Sequence, residues 1–133
     1  MKKLCLLLLL ACILSSFSSP EELRVHNRQK IAHLERGMTK NTVITFIGQA
    51  GAQDFDKDGT YTINNPYRTE ILKGKNQYFE VLYYHTDVEQ RDRQLKSAEV
   101  TPLVFHDEKL IGWGRSFLKQ LAQQYTIQFE TEK

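Results

Sequence analysis

TPLVFHDEKLIGWG, Thr101 to Gly114, decides the fold because it is two short apolar stretches on either side of a polar tetrad. Leu103, Val104 and Phe105 carry the branched and aromatic side chains of a strand, and Ala98 to Phe105 reads as one. His106-Asp107-Glu108-Lys109 fits a tight hairpin turn, after which Leu110-Ile111-Gly112-Trp113-Gly114 pairs back. Working outward toward the N-terminus, Phe79-Glu80-Val81-Leu82-Tyr83-Tyr84-His85-Thr86 has the same strand chemistry. EQRDRQLK, residues 89–96, is a highly charged, solvated connection between them. Three strands in this order make an antiparallel meander.

Helices flank the meander. Ser19-Pro20-Glu21-Glu22 is a helix start, with Ser19 as N-cap, Pro20 at the first helical position and Glu22 placed to complete a capping box. The spacing predicts a helix to Arg36, stopped by Gly37, with Leu23, Ile31 and Leu34 on one face together with Asn27. A second, short helix follows. Thr39 caps it, Met38 and Val43 sit at the positions of a hydrophobic staple, Val43, Phe46 and Ile47 form its apolar face, and Gly48 closes it. Between Gln49 and Asn76 the chain is rich in Gly, Asp, Asn and Thr, which predicts a long loop holding one short strand at Tyr61 to Ile63. Past the meander, Phe117, Leu118, Leu121, Ala122 and Tyr125 recur at helical spacing, an amphipathic helix for packing on the sheet or on a partner. The expected class is α+β: two N-terminal helices packed on a three-stranded antiparallel sheet, with a C-terminal amphipathic helix. One domain covers residues 20–125, and 126–133 form a tail.

Residues 1–19 belong to no domain in this reading. Lys2 and Lys3 precede an apolar run of 11 residues, Leu4 to Leu14, and then the small residues from Ser15 to Ser19, the pattern of an export signal. A bilayer-spanning helix needs roughly 20 apolar residues, so the run is too short for a permanent anchor. Two cuts compete. Leu9-Leu10-Ala11-Cys12 reads as a bacterial lipobox, which leaves a lipidated Cys12 as the first mature residue; ordinary cleavage among Ser15 to Ser19 would release a soluble protein instead. The only cysteines, Cys5 and Cys12, lie inside this region, so the domain has no disulfide and must rest on its hydrophobic core. Lys2 and Lys3 also account for the whole formal charge of +2, leaving 16 basic and 16 acidic side chains. A neutral exported domain lacks the cationic excess that nucleic acid requires, and that partner class is set aside.

Few constellations carry chemistry. In DFDKDG, Asp54, Asp56 and Asp58 alternate ahead of Gly59, the start of a calcium loop. The twelfth position is Asn65 rather than a bidentate glutamate and the eighth is Tyr61, so an EF-hand is excluded; a looser calcium site and a solvated acidic turn remain. His26 and His33 stand about 10 Å apart along a helix, too far to share an ion directly, and His85 and His106 add no pair, so zinc is not expected. Ser97 and Ser116 lie in no nucleophile elbow, and no enzyme is expected. Arg24, Arg28, Lys30, Arg36 and Lys40 place positive charge where anionic headgroups would lie if Cys12 carries lipid; the plainer reading is a solvated helix face. Tyr84, Phe105 and Trp113 are the candidate protein-contact residues, on whichever sheet face the helices leave open.

NRQKIAHLERGMTKNTVITFIGQ, residues 27–49, resembles the helix pair of the BamE-like (SmpA/OmlA) envelope proteins. There a Gly-Met-(Thr/Ser)-Lys corner precedes a helix ending in Gly; Gln49 and Ala50 stand where that family commonly has proline. YFEVLYYHT and TPLVFHDEKLIGWG are more specifically similar to an uncharacterised family of short proteobacterial envelope proteins, the domain of unknown function 3192. The resemblance covers Asn27 to Gly114. It implies an ααβββ layer tethered by a lipidated cysteine, facing the periplasm from the outer membrane. In the BamE branch that domain is an accessory of β-barrel assembly, and the related fold of β-lactamase inhibitor proteins binds a protein surface. Both precedents are non-catalytic and need no cofactor. The expectation is therefore a protein-binding accessory with an envelope protein partner, against a periplasmic small-ligand or calcium sensor as the alternative.

Overall fold

A computed structural model describes residues 16–88 and 99–129. These residues form three helices, α1 (Pro20–Ile31), α2 (Lys40–Ile47) and α3 (Arg115–Tyr125). They also form six strands: β1 (Ala52–Asp56), β2 (Gly59–Ile63), β3 (Arg68–Gly74), β4 (Gln77–His85), β5 (Val100–His106) and β6 (Lys109–Trp113). The class is α+β, with antiparallel sheets. β3-β4-β5-β6 make a four-stranded meander, and β1-β2 pair as a separate hairpin. Cys12 and the charged connection lie outside the described residues.

Local chemistry explains the helix ends. The Ser19 hydroxyl accepts from the Glu22 N–H at 3.3 Å, while the Glu22 carboxylate accepts from the Ser18 N–H at 3.1 Å. Glu21 and Glu22 in the first turn and Arg28 and Lys30 in the last complement the helix dipole. The helix stops at Ile31, short of the predicted Arg36. There the His33 and Leu34 amides turn back onto Lys30 and Ile31, and the tighter turn carries Leu34 into the core beside Ile31. α2 has the expected caps: Thr39 accepts from the Thr42 N–H at 3.2 Å, and Gly48 closes the helix at φ 84°.

The two strings that carry the resemblance touch each other. At the corner between α1 and α2, Gly37 N–H donates to the Leu110 carbonyl and Leu110 N–H donates to Met38, both at 2.8 Å. Lys40 N–H donates to the Glu108 carbonyl at 2.9 Å, and its ammonium reaches Glu80 at 2.9 Å and Glu108 at 3.3 Å. Those contacts, with Glu80 foremost, hold the Lys40 pKa above its usual value. The β5-β6 hairpin turns on Asp107 and Glu108, at φ 48° and 64°, with His106 facing Lys109, so the predicted tetrad is a two-residue loop.

Period-two alternation divides the sheet. Leu82, Tyr84, Leu103, Phe105 and Leu110 face Ile31, Leu34, Val43 and Ile47 of the helix pair. Leu72, Phe79, Val81, Tyr83 and Val104 face Leu118, Leu121 and Ile127, so α3 covers the other side. A β-carbon at Gly112 would lie 2.5 Å from the Phe117 ring, which explains the glycine beside Trp113: the close approach is by a side chain of α3.

The structure corrects the sequence reading in three places. The sheet has four strands rather than three, because β3 pairs with β4 along its whole length, from Arg68–Tyr83 to Gly74–Gln77. The segment read as a loop with one short strand holds three. Finally, helices pack on both sheet faces, and Tyr84 and Phe105 are buried under the helix pair rather than on an open face.

Candidate functional site

Where α1 begins and β4 ends, the β1-β2 hairpin stands away from the meander and leaves a cleft of about 420 Å³. Ser18 to Glu21 and Arg24 line one wall, Gln53 to Phe55 with Tyr61 and Ile63 the other, and His85 and Glu99 the floor. Two apolar side chains stand at its rim, Phe55 at 75% exposed and Val88 at 54%.

The floor is polar and buried. His85, the last residue of β4, and Glu99, just before β5, are each only 2% exposed. The main chain fixes them together, since the Thr86 and Asp87 amides both donate to the Glu99 carbonyl, at 2.9 and 3.0 Å. Arg24 Nη1 lies 3.2 Å from His85 Nε2. A guanidinium only donates, so Nε2 is the acceptor and the imidazole is neutral. Burial first, and then the Arg24 charge, push the His85 pKa down to about 4, with Glu99 and Asp87 opposing. Arg24 is held in turn by the Glu21 carboxylate, whose pKa Arg24 lowers, first through the hydrogen bond and then through its charge.

Behind the floor, Asn27 and Asn65 exchange amide hydrogen bonds at 2.9 and 3.0 Å, and Asn27 also donates to the His85 carbonyl at 2.8 Å. Both amides are buried, and the network ties α1 to the end of β4. This explains Asn27 on an otherwise apolar helix face.

The sequence candidates fall elsewhere. Tyr84 and Phe105, 0% and 1% exposed, lie in the core under α1 and α2, and half-buried Trp113 packs on the same cluster. The structure brings the three together, but as packing rather than as a contact surface. Burial alone raises the Tyr84 pKa to about 12, and its hydroxyl has no hydrogen-bond partner among the described residues. The acidic triplet does not converge. Asp54 accepts from the Tyr61 hydroxyl at 3.2 Å, Asp56 accepts from the Asp58 amide at 2.7 Å in the hairpin turn, and the extended β1 cannot wrap an ion. Among the described residues no group of three or more His, Cys, Asp or Glu side chains is placed to hold a metal ion.

The basic residues of the helix pair are not an open patch. Arg24 and Lys40 are paired, Arg28 donates to the Thr86 carbonyl, and Lys30 and Arg36 lie over the Phe46 and Phe117 rings at 4.6 and 5.8 Å. Sequence reasoning missed Glu99 and the pairing of Arg24 with His85. The available signal was a lone charge at each end of two strand-forming runs that must lie side by side.

Among the described residues no helix is long and apolar enough to cross a membrane. The chain matches no curated protein and no solved structure. A family model does match residues 15–120, which takes in the α1–α2 corner, both sheets and the cleft, and by it the chain belongs to the family described as protein of unknown function (DUF3192).

Proposed function

We propose that this chain is a non-catalytic accessory protein of the bacterial cell envelope that binds another protein through the cleft between α1, the β1-β2 hairpin and the end of β4. The observation that carries this reading is the cleft's construction: an exposed aromatic lip, Phe55, above a buried polar floor of His85 and Glu99, with Arg24 reaching His85 from the wall. Aromatic anchors over desolvated polar groups favour protein recognition. Reaction chemistry has less support, because Arg24 occupies His85 Nε2 and no hydroxyl or thiol is bonded to that ring among the described residues.

Export, lipid on Cys12 and a periplasm-facing position at the outer membrane complete the proposal, resting on the N-terminal sequence pattern. The helix pair on one face of an antiparallel meander supports kinship with the BamE-like ααβββ architecture. In that reading β3, the β1-β2 hairpin and α3 are additions. A small-ligand role is the second reading, favoured by a cleft volume within the usual range for such sites, and it draws on the cleft, which Asp54 lines, rather than on Asp54, Asp56 and Asp58 acting together.

The test is photo-cross-linking in intact cells from position 55, with position 78, exposed at the opposite end of β4, as control. A discrete envelope-protein adduct from 55 and none from 78 is the expected result. With the bait well recovered, no adduct from 55 would sink the protein-binding reading and leave the small-ligand one.

A further inference from the structure

The chain just ahead of α1 is built into the domain. Phe17 N–H donates to the Gly51 carbonyl at 2.9 Å, and Phe17 bridges to Ala52 in parallel, a single rung on the outer edge of β1. Its ring meets His26 with centroids 4.7 Å apart and packs against the buried cluster of Leu23, Ala52 and Ile63. His26 is itself fixed, its Nε2 lying 2.6 Å from the Ile47 carbonyl. Ser18 and Ser19 then supply the two hydrogen bonds that start α1. The family match also begins upstream, at residue 15.

We infer that the export signal is removed on the N-terminal side of Phe17, so that Phe17 to Ser19 stay in the mature protein as a latch across β1 and α1. This rests on the reading of the first residues as an export signal. Of the two competing cuts, the Ala11–Cys12 junction leaves the latch whole. A cut within Ser15–Ser19 keeps it only if it falls ahead of Phe17. The reaction is a hydrolysis: water breaks one peptide bond, its hydroxyl joining the carbonyl left on the signal and its hydrogen the new amino terminus. Cutting after Phe17, Ser18 or Ser19 would strip the rung from β1 and uncover Ala52, which is fully buried. A cut after Ser18 would also remove the Ser18 contact to Glu22, and a cut after Ser19 would take the helix cap as well.

The experiment is N-terminal sequencing and intact mass of the protein recovered from producing cells. A mature start at Phe17 or earlier, beyond Met1, is expected. A start at Ser18, Ser19 or Pro20 overturns the inference, whereas retention of Met1 overturns the export reading and the boundary with it. In the full chain, Phe17→Ala should lower Tm by about 4–8 °C, the shift that roughly 1 kcal/mol produces in a small domain. An unchanged Tm would show that Phe17 latches nothing.

Discussion

The two ends of β4 are built on opposite principles. Toward its start and middle, Phe79, Val81 and Leu82 are buried among aliphatic and aromatic neighbours on both faces of the sheet. At its end, His85 is equally buried but surrounded by Arg24, Asn27 and Glu99. Apolar burial stabilises without regard to direction, whereas a buried ionisable group costs stability for each polar atom left unpaired: His85 Nε2 meets Arg24, while its Nδ1 has no hydrogen-bond partner among the described residues. A fold that keeps both on one strand concentrates its apolar packing in the sheet and its directional chemistry at one end, where the cleft opens.

The largest expected effect would break this contrast at its apolar end. Phe105→Ala should destabilise by about 3–5 kcal/mol in urea unfolding, as truncation of a fully buried aromatic does. A loss below about 1 kcal/mol would mean that Phe105 is the surface residue its sequence suggested.

At the polar end, pH is the lever. The His85 pKa is about 4 in the folded protein against an ordinary value of 6.5, so between those values the unfolded chain binds more protons. Stability contributed by the neutral ring is therefore complete above about pH 6.5 and declines as pH falls toward 4, by on the order of 3 kcal/mol. Subtracting the profile of His85→Gln from that of the wild type isolates this slope from the carboxylates. Parallel profiles would show that the ring is not desolvated.

Asn27→Ala tests whether the floor depends on its buttress. It leaves the Asn65 amide and the His85 carbonyl without their partner and should cost about 2 kcal/mol. The smallest effect has the opposite sign. Tyr84→Phe removes a buried hydroxyl without a partner, next to His85, and should raise stability by up to about 1 kcal/mol, sharpening the contrast between polar atoms that are paired and those that are not. A loss of stability would reveal a hydrogen bond to that hydroxyl.

How much of this was legible follows the same division. β4, β5 and β6 were readable because branched and aromatic residues run between turn signals, and Thr39 and Gly48 marked α2 by local chemistry alone. Leu34 misled the reading of α1: three residues beyond Ile31, it lies at helical spacing, yet a tight turn also carries it to the same core. The strand read at Tyr61 to Ile63 lies in β2, whereas β1 and β3 were hidden because their alternation places polar residues outward and sets the strands among turn formers. Pairing rather than burial makes them strands, and the partner of β3 lies in β4. Alternation separates the two faces of β4 but does not say which one the α1–α2 pair covers, and that pair covers the face of Tyr84 and Phe105. The cleft was least visible, since Arg24 and His85 stand 61 positions apart and neither means anything alone.

The seat of Phe17 has a mechanical consequence. Four residues separate Cys12 from Phe17, and the five steps between them reach at most about 18 Å. With lipid on Cys12, the clamp at Phe17 would turn a swinging tether into a short leash. The mouth of the cleft, which starts at Ser18, would then patrol a thin shell above the bilayer. Partners lying in that shell would meet it at a high effective concentration, and those deeper in the periplasm would not meet it at all.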